Sequence, residues 1–112
     1  MGCSMLFGIL EDWFSDLIVK REESNVTIAF PIDKLVRSSV HNFIKNLSVY
    51  LALDDGREFS ITYYEGDNGS GLDLSVRRDE DSIFESFVCV GGVKVSLGRV
   101  RGTSSVLVEV SE

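Results

Sequence analysis

Apolar residues return every three to four positions through the first twenty residues. At about 100° per residue, Leu6, Phe7, Ile9, Leu10, Trp13, Phe14, Leu17 and Ile18 share one half of a helical cylinder. Glu11, Asp12, Ser15 and Asp16 occupy the other half, so a helix is expected over residues 5–20. Its acids come early and Lys20 and Arg21 come late, which suits the helix dipole. The apolar face is wider than one sheet contact requires, so the helix is either sunk in the core or shared with another chain. Residues 25–30 alternate, with Val26, Ile28 and Phe30 on one side, and read as a strand. Pro31 can open a helix without losing a needed N–H. Ile32, Leu35, Val36, Val40, Phe43 and Leu47 then recur at helical spacing, which predicts a second helix over 32–47. Trp13 and Phe43 should both be buried on the inner faces of these helices.

The remainder alternates at period two. Val49, Leu51 and Leu53 precede Asp54-Asp55-Gly56, and Phe59, Ile61 and Tyr63 follow. A two-residue turn would set Leu51 against Ser60, whereas a three-residue loop sets Leu51 against Phe59 and Val49 against Ile61. Only the second gathers the apolar side chains on one face, so Gly56 is expected in the left-handed position of a three-residue loop. A loop over 65–71 leads to Leu72, Leu74 and Val76, and residues 78–82 form a charged break. A Gly91-Gly92 hairpin should pair Val90 with Val93 and Val88 with Val95, before a last strand with Val106, Val108 and Val110. The expected fold is α+β: two helices on one face of a mainly antiparallel sheet of about five to six strands, in the order α-β-α-β-β-β-β-β. Residues 1–112 read as a single domain, with 1–4 disordered.

Composition supports a sheet-rich soluble domain. Valine occurs fourteen times, alanine twice and glutamine never. The missing glutamine suits a protein from a hot environment. No apolar run approaches the roughly 18 residues of a membrane span. The start, Met1-Gly2-Cys3-Ser4-Met5-Leu6, lacks the hydroxyl of a myristoylation signal, and Glu11 and Asp12 follow too soon for a secretory one. A cytoplasmic protein with reduced thiols is expected. A net charge of -7 argues against a protein that coats nucleic acid indiscriminately.

No catalytic device is legible. His41 is the one histidine and has no orienting partner nearby in sequence. Gly69-Ser70-Gly71 lacks the third glycine and the following helix of a nucleotide loop. Glu65, Asp67, Asn68 and Asp73 could hold a hard cation, but their spacing matches no calcium loop. Cys89 would lie opposite Lys94, which can activate a thiol. The chain reads as non-enzymatic, with no cofactor and no metal.

One feature stands out against the acidic background. On a helix over 32–47, Lys34, Arg37, His41 and Lys45 fall within an arc of about 80°, opposite the apolar face. Arg99 and Arg101 could join this patch from the loop that carries them. The expected role is a small protein–protein interaction module, of adaptor, inhibitor or immunity type, acting by surface occupancy. Its partner would be another protein, including a second copy in a homodimer. The alternative is a nucleic-acid-binding regulator that contacts phosphates through the basic face of the second helix.

Overall fold

The first apolar run folds as a helix for eleven residues and then stops. A computed structural model describes residues 4–89, 94–99 and 105–112, with residues 4, 88, 89, 97 and 99 described by their backbone alone. Helix α1 spans Ser4–Phe14. Phe14, at φ -132°, leaves helical geometry, and a single 3-10 turn over Ser15–Leu17 follows. Ile18 and Val19 are β-branched and extend better than they coil. Strand β1 (Ile18–Glu22) therefore begins inside the expected helix, and pairs antiparallel with β2 (Asn25–Pro31).

The second expected helix does not exist. Pro31 ends β2, a 3-10 turn covers Ile32–Lys34, and residues Leu35–Phe43 form strand β3. Ile44 and Lys45 turn the chain into β4 (Asn46–Leu53), with Phe43 opposite Asn46. Helical spacing of the apolar residues misled because β3 is solvated on both faces, so burial imposes no period-two pattern on it. Local preference points to a strand. Val36, Val40, His41, Asn42 and Phe43 are all weak helix formers, and the stretch contains no alanine.

Strands β5 (Arg57–Gly66), β6 (Gly69–Arg78) and β7 (Asp81–Cys89) continue the meander. Leu51 faces Phe59 and Val49 faces Ile61, around a loop in which Gly56 has φ 92°. This is the register that one-sided burial demands. The charged break at 78–82 is a tight turn, Asp79-Glu80, between paired strands. Strands β8 (Lys94–Arg99) and β9 (Ser105–Ser111) follow.

These strands form two antiparallel sheets, ordered β1-β2-β9-β8 and β3-β4-β5-β6-β7. The architecture of two helices on one sheet is thus replaced, among the described residues, by one α-helix and nine strands in two sheets, mostly β. The expected Val88–Val95 hairpin is also replaced. Val88 pairs with Gly71 in one sheet and Val95 with Val110 in the other, while the Gly91-Gly92 turn lies outside the described residues.

Both sheets contribute to one hydrophobic cluster, and α1 touches β2 of one sheet and β6 of the other. Phe14, Phe30 and Phe59 meet there, with ring centroids 5.4 to 5.7 Å apart. They come from the helix, from β2 and from β5, so three elements share one aromatic contact. Trp13 packs at the margin of the core, half-buried, and Phe43 is 63% exposed instead of buried. No helix among the described residues is long and apolar enough to cross a membrane.

Candidate functional site

The segment expected to be a helix with a buried face is an open sheet edge. β3 is the outermost strand of the five-stranded sheet. In a hairpin closed by a two-residue turn, the last pair exchanges both of its hydrogen bonds, and pairs of that kind alternate along the ladder. Counting back from Phe43–Asn46, the residues bonded to β4 are His41, Ser39 and Arg37. The N–H and C=O groups of Ser38, Val40 and Asn42 therefore point away from the sheet. No strand among the described residues pairs with them.

Side chains along this edge are exposed from Val36 to Phe43. Val36 is 61%, Val40 48% and turn residue Ile44 92% exposed. Ser38, Val40 and Asn42 share a face with Leu51, Val49 and Leu47 of β4. Arg37, Ser39, His41 and Phe43 take the opposite face. At the tip of the hairpin, Val40, Asn42 and Leu47 border a groove of about 500 Å³ whose far wall includes Val95 and Ser96 of β8. Tyr63 lies in the same groove and donates to Glu65 Oε1 at 2.6 Å. Burial, then this carboxylate, raises the Tyr63 phenol above its ordinary pKa.

The expected basic stripe is dispersed. Lys34 sits in the 3-10 turn, its Nζ 3.9 Å from Asp54 Oδ2. Arg37 donates through Nη2 to Glu58 Oε1 at 3.3 Å, and Tyr50 donates to the same oxygen at 3.1 Å. Arg77 approaches the other Glu58 oxygen at 3.7 Å. Burial, followed by the hydrogen bond to Glu58, raises the Tyr50 phenol above its ordinary pKa. His41 lies on the same face as Arg37, about 13 Å along the strand, with its ring parallel to that of Phe43. Lys45 occupies the turn with φ 65°. Helical spacing had placed four cations on one face, whereas a strand separates them along its length. The side chain of Arg99, and Arg101 entirely, lie outside the described residues.

A second polar feature escaped the sequence reading. Arg57, 5% exposed, donates through Nη1 and Nη2 to Asp16 at 2.5 and 3.1 Å and through Nε to Asp55 at 2.8 Å. Asp55 also accepts the backbone N–H of Arg57 at 3.0 Å. The guanidinium lies 5.8 Å from the ring of Phe14. These bonds join the turn after α1 to the β4–β5 loop. They hold both carboxyls below the usual aspartate range, the Arg57 hydrogen bonds being the largest cause. The proximity of acid and base around Gly56 was the available signal. This latch is structural in its geometry, because every charge in it faces an opposite one.

Among the described residues, no three His, Cys, Asp or Glu side chains converge to hold a metal. Glu65, Asp67 and Asp73, weighed above as oxygen donors to a hard cation, belong to no such cluster. The Cys89–Lys94 apposition is also replaced, since backbone pairing puts Cys89 opposite Ser70 and Lys94 opposite Ser111. The Cys89 side chain lies outside the described residues. No known protein family, characterised protein or solved structure significantly matches the chain.

Proposed function

We propose that this protein is a small interaction module that captures an extended protein segment along the β3 edge. The observation that carries this reading is the edge itself. An outer strand combines outward backbone groups at Ser38, Val40 and Asn42, which no described strand pairs, with exposed Val36, Val40 and Phe43. Natural sheets usually protect such an edge, because it templates pairing with another chain. Added strands gain main-chain hydrogen bonds from the edge and specificity from alternate side chains. The module acts by occupancy and needs no catalytic group.

Val40→Pro tests this reading. Proline removes one outward N–H, and an edge strand accommodates it without breaking an internal ladder bond. Immobilised wild type and Val40→Pro are exposed to nuclease-treated extract, with circular dichroism confirming equal folding. Polypeptides held by wild type and released by Val40→Pro support capture at the edge. Equal retention by both proteins overturns it.

A further inference from the structure

The β3 edge is complementary to itself, and we infer that the segment it receives is β3 of a second copy of this chain. This inference rests on the edge-capture reading and names its occupant. Only residues whose backbone groups point outward can form the closely bonded pairs of a new antiparallel ladder, here Ser38, Val40 and Asn42. A two-fold axis through Val40 satisfies that condition. It sets Val40 against Val40 of the other copy, Ser38 against Asn42, Ser39 against His41 and Arg37 against Phe43. Val36 and Ile44 flank the ladder at its two ends.

In this register Val40 meets Val40, and the polar residues Ser38 and Ser39 meet Asn42 and His41. The guanidinium of Arg37 falls beside an aromatic ring, which attracts it. Sliding one strand by two residues in either direction loses these matches. One shift sets Arg37 against His41 in both halves and Val40 against Ser38. The other sets His41 against His41 and shortens the overlap. Register in a two-sided edge is weakly held by burial, so these side-chain matches decide it.

Charge points to the same face. Each copy carries -7 overall, so most approaches between two copies are repulsive. Residues 34–53 contain no acid, and Arg37, His41 and Lys45 make the edge the place where copies meet without acid facing acid. The opposite edge of the same sheet is guarded differently. On β7, Glu85 points to the inner face beside Ile83 and Phe87, and Asp81 opens the strand. Inward-pointing charge of that kind blocks edge pairing, and β3 has none. Two copies joined at β3 would extend the five-stranded sheet continuously into a ten-stranded one, through about six new backbone hydrogen bonds.

Sedimentation of the purified full chain tests the inference. Wild type is expected to be dimeric at micromolar concentration, and more so as salt screens the residual repulsion between copies. Val40→Lys would place two ammonium groups across the axis and weaken the dimer by about tenfold or more, with an unchanged circular dichroism spectrum. Under mild oxidation, Val40→Cys is expected to cross-link position 40 to position 40, because closely bonded pairs hold their Cα atoms about 5.5 Å apart. Ser39→Cys should not cross-link to itself. A wild type that remains monomeric at all accessible concentrations overturns self-pairing, and leaves edge capture standing if Val40→Pro still abolishes retention of other polypeptides. A dimer indifferent to Val40→Lys, or a disulfide mapped between two copies of position 39, also overturns it.

Discussion

Strands β3 and β4 are the two arms of one hairpin, yet Leu47, Val49, Leu51 and Leu53 are buried on β4 while Val36, Val40 and Phe43 stand in solvent on β3. The difference comes from position in the sheet. β4 has a neighbour on each side and a core against its inner face, so each inward leucine is worth about 1.5–3 kcal/mol of burial. Among the described residues β3 has one neighbour, and its side chains from Val36 to Phe43 are exposed. Apolar residues there do little for folding.

The largest test of this contrast is Leu51→Ala. Truncation in the centre of β4 should cost about 2–5 kcal/mol in urea unfolding, and a loss below about 1 kcal/mol would erase the distinction between the arms. Gly56→Val comes next and attacks the loop that sets β4 against β5. Its φ of 92° suits glycine, and an added Cβ would sit 2.9 Å from Asp79 Oδ1. A loss of about 1–3 kcal/mol is expected, while an effect near zero would show that the loop is free to change its conformation.

The Arg57 latch secures the same end of the hairpin and should respond to acid. Asp16 and Asp55 hold protons less readily in the folded chain than at their ordinary value of 3.8. Below that pH the unfolded chain takes up more protons, so stability present above about pH 4 is lost as pH falls through the lowered values. Both carboxylates are partly solvated, 62% and 44% exposed, so the effect is no more than about 1 kcal/mol. Melting scans from pH 5 to 2 should show a shallower fall for Asp16→Asn than for wild type; parallel curves would remove the latch from the acid response. The smallest effect belongs to β3. Val40→Ser should change the stability of the monomer by less than about 0.5 kcal/mol, and a loss comparable to Leu51→Ala would mean that the edge is not open.

Legibility in the sequence followed burial. Leu6, Phe7, Leu10 and Phe14 are buried on one side of α1, and that face was readable from its spacing. The β4–β5 register was readable because burial on one face selects the loop length. β3 left no such imprint, and its turn places Lys45, not glycine, at positive φ. The 3.6-residue spacing of its apolar positions was therefore coincidental. Val88 and Val95 failed for another reason: alternation is the same in either sheet, so it cannot say which sheet a strand joins. Of the candidate contact residues, Arg37, His41 and Lys45 do lie on the open hairpin, but at strand intervals and with Arg37 tied to Glu58. Arg57 went unread because a charge beside a turn ordinarily faces water.

The sheet order also sets when each half of the molecule can form during synthesis. β3 to β7 are successive neighbours in sequence and in space, so their sheet needs only short loop closures. β2 instead pairs with β9, and Thr27 and Glu109, partners in that ladder, are 82 residues apart. A nascent chain thus carries β2 with β1 on one side and a vacant ladder on the other until β9 leaves the ribosome. During that interval Val26, Ile28 and Phe30 lack the cross-strand cover of Val110, Val108 and Val106. Arrest before β9 would leave β2 with an uncovered edge, so the synthesis of β9 ends a period of exposure to aggregation.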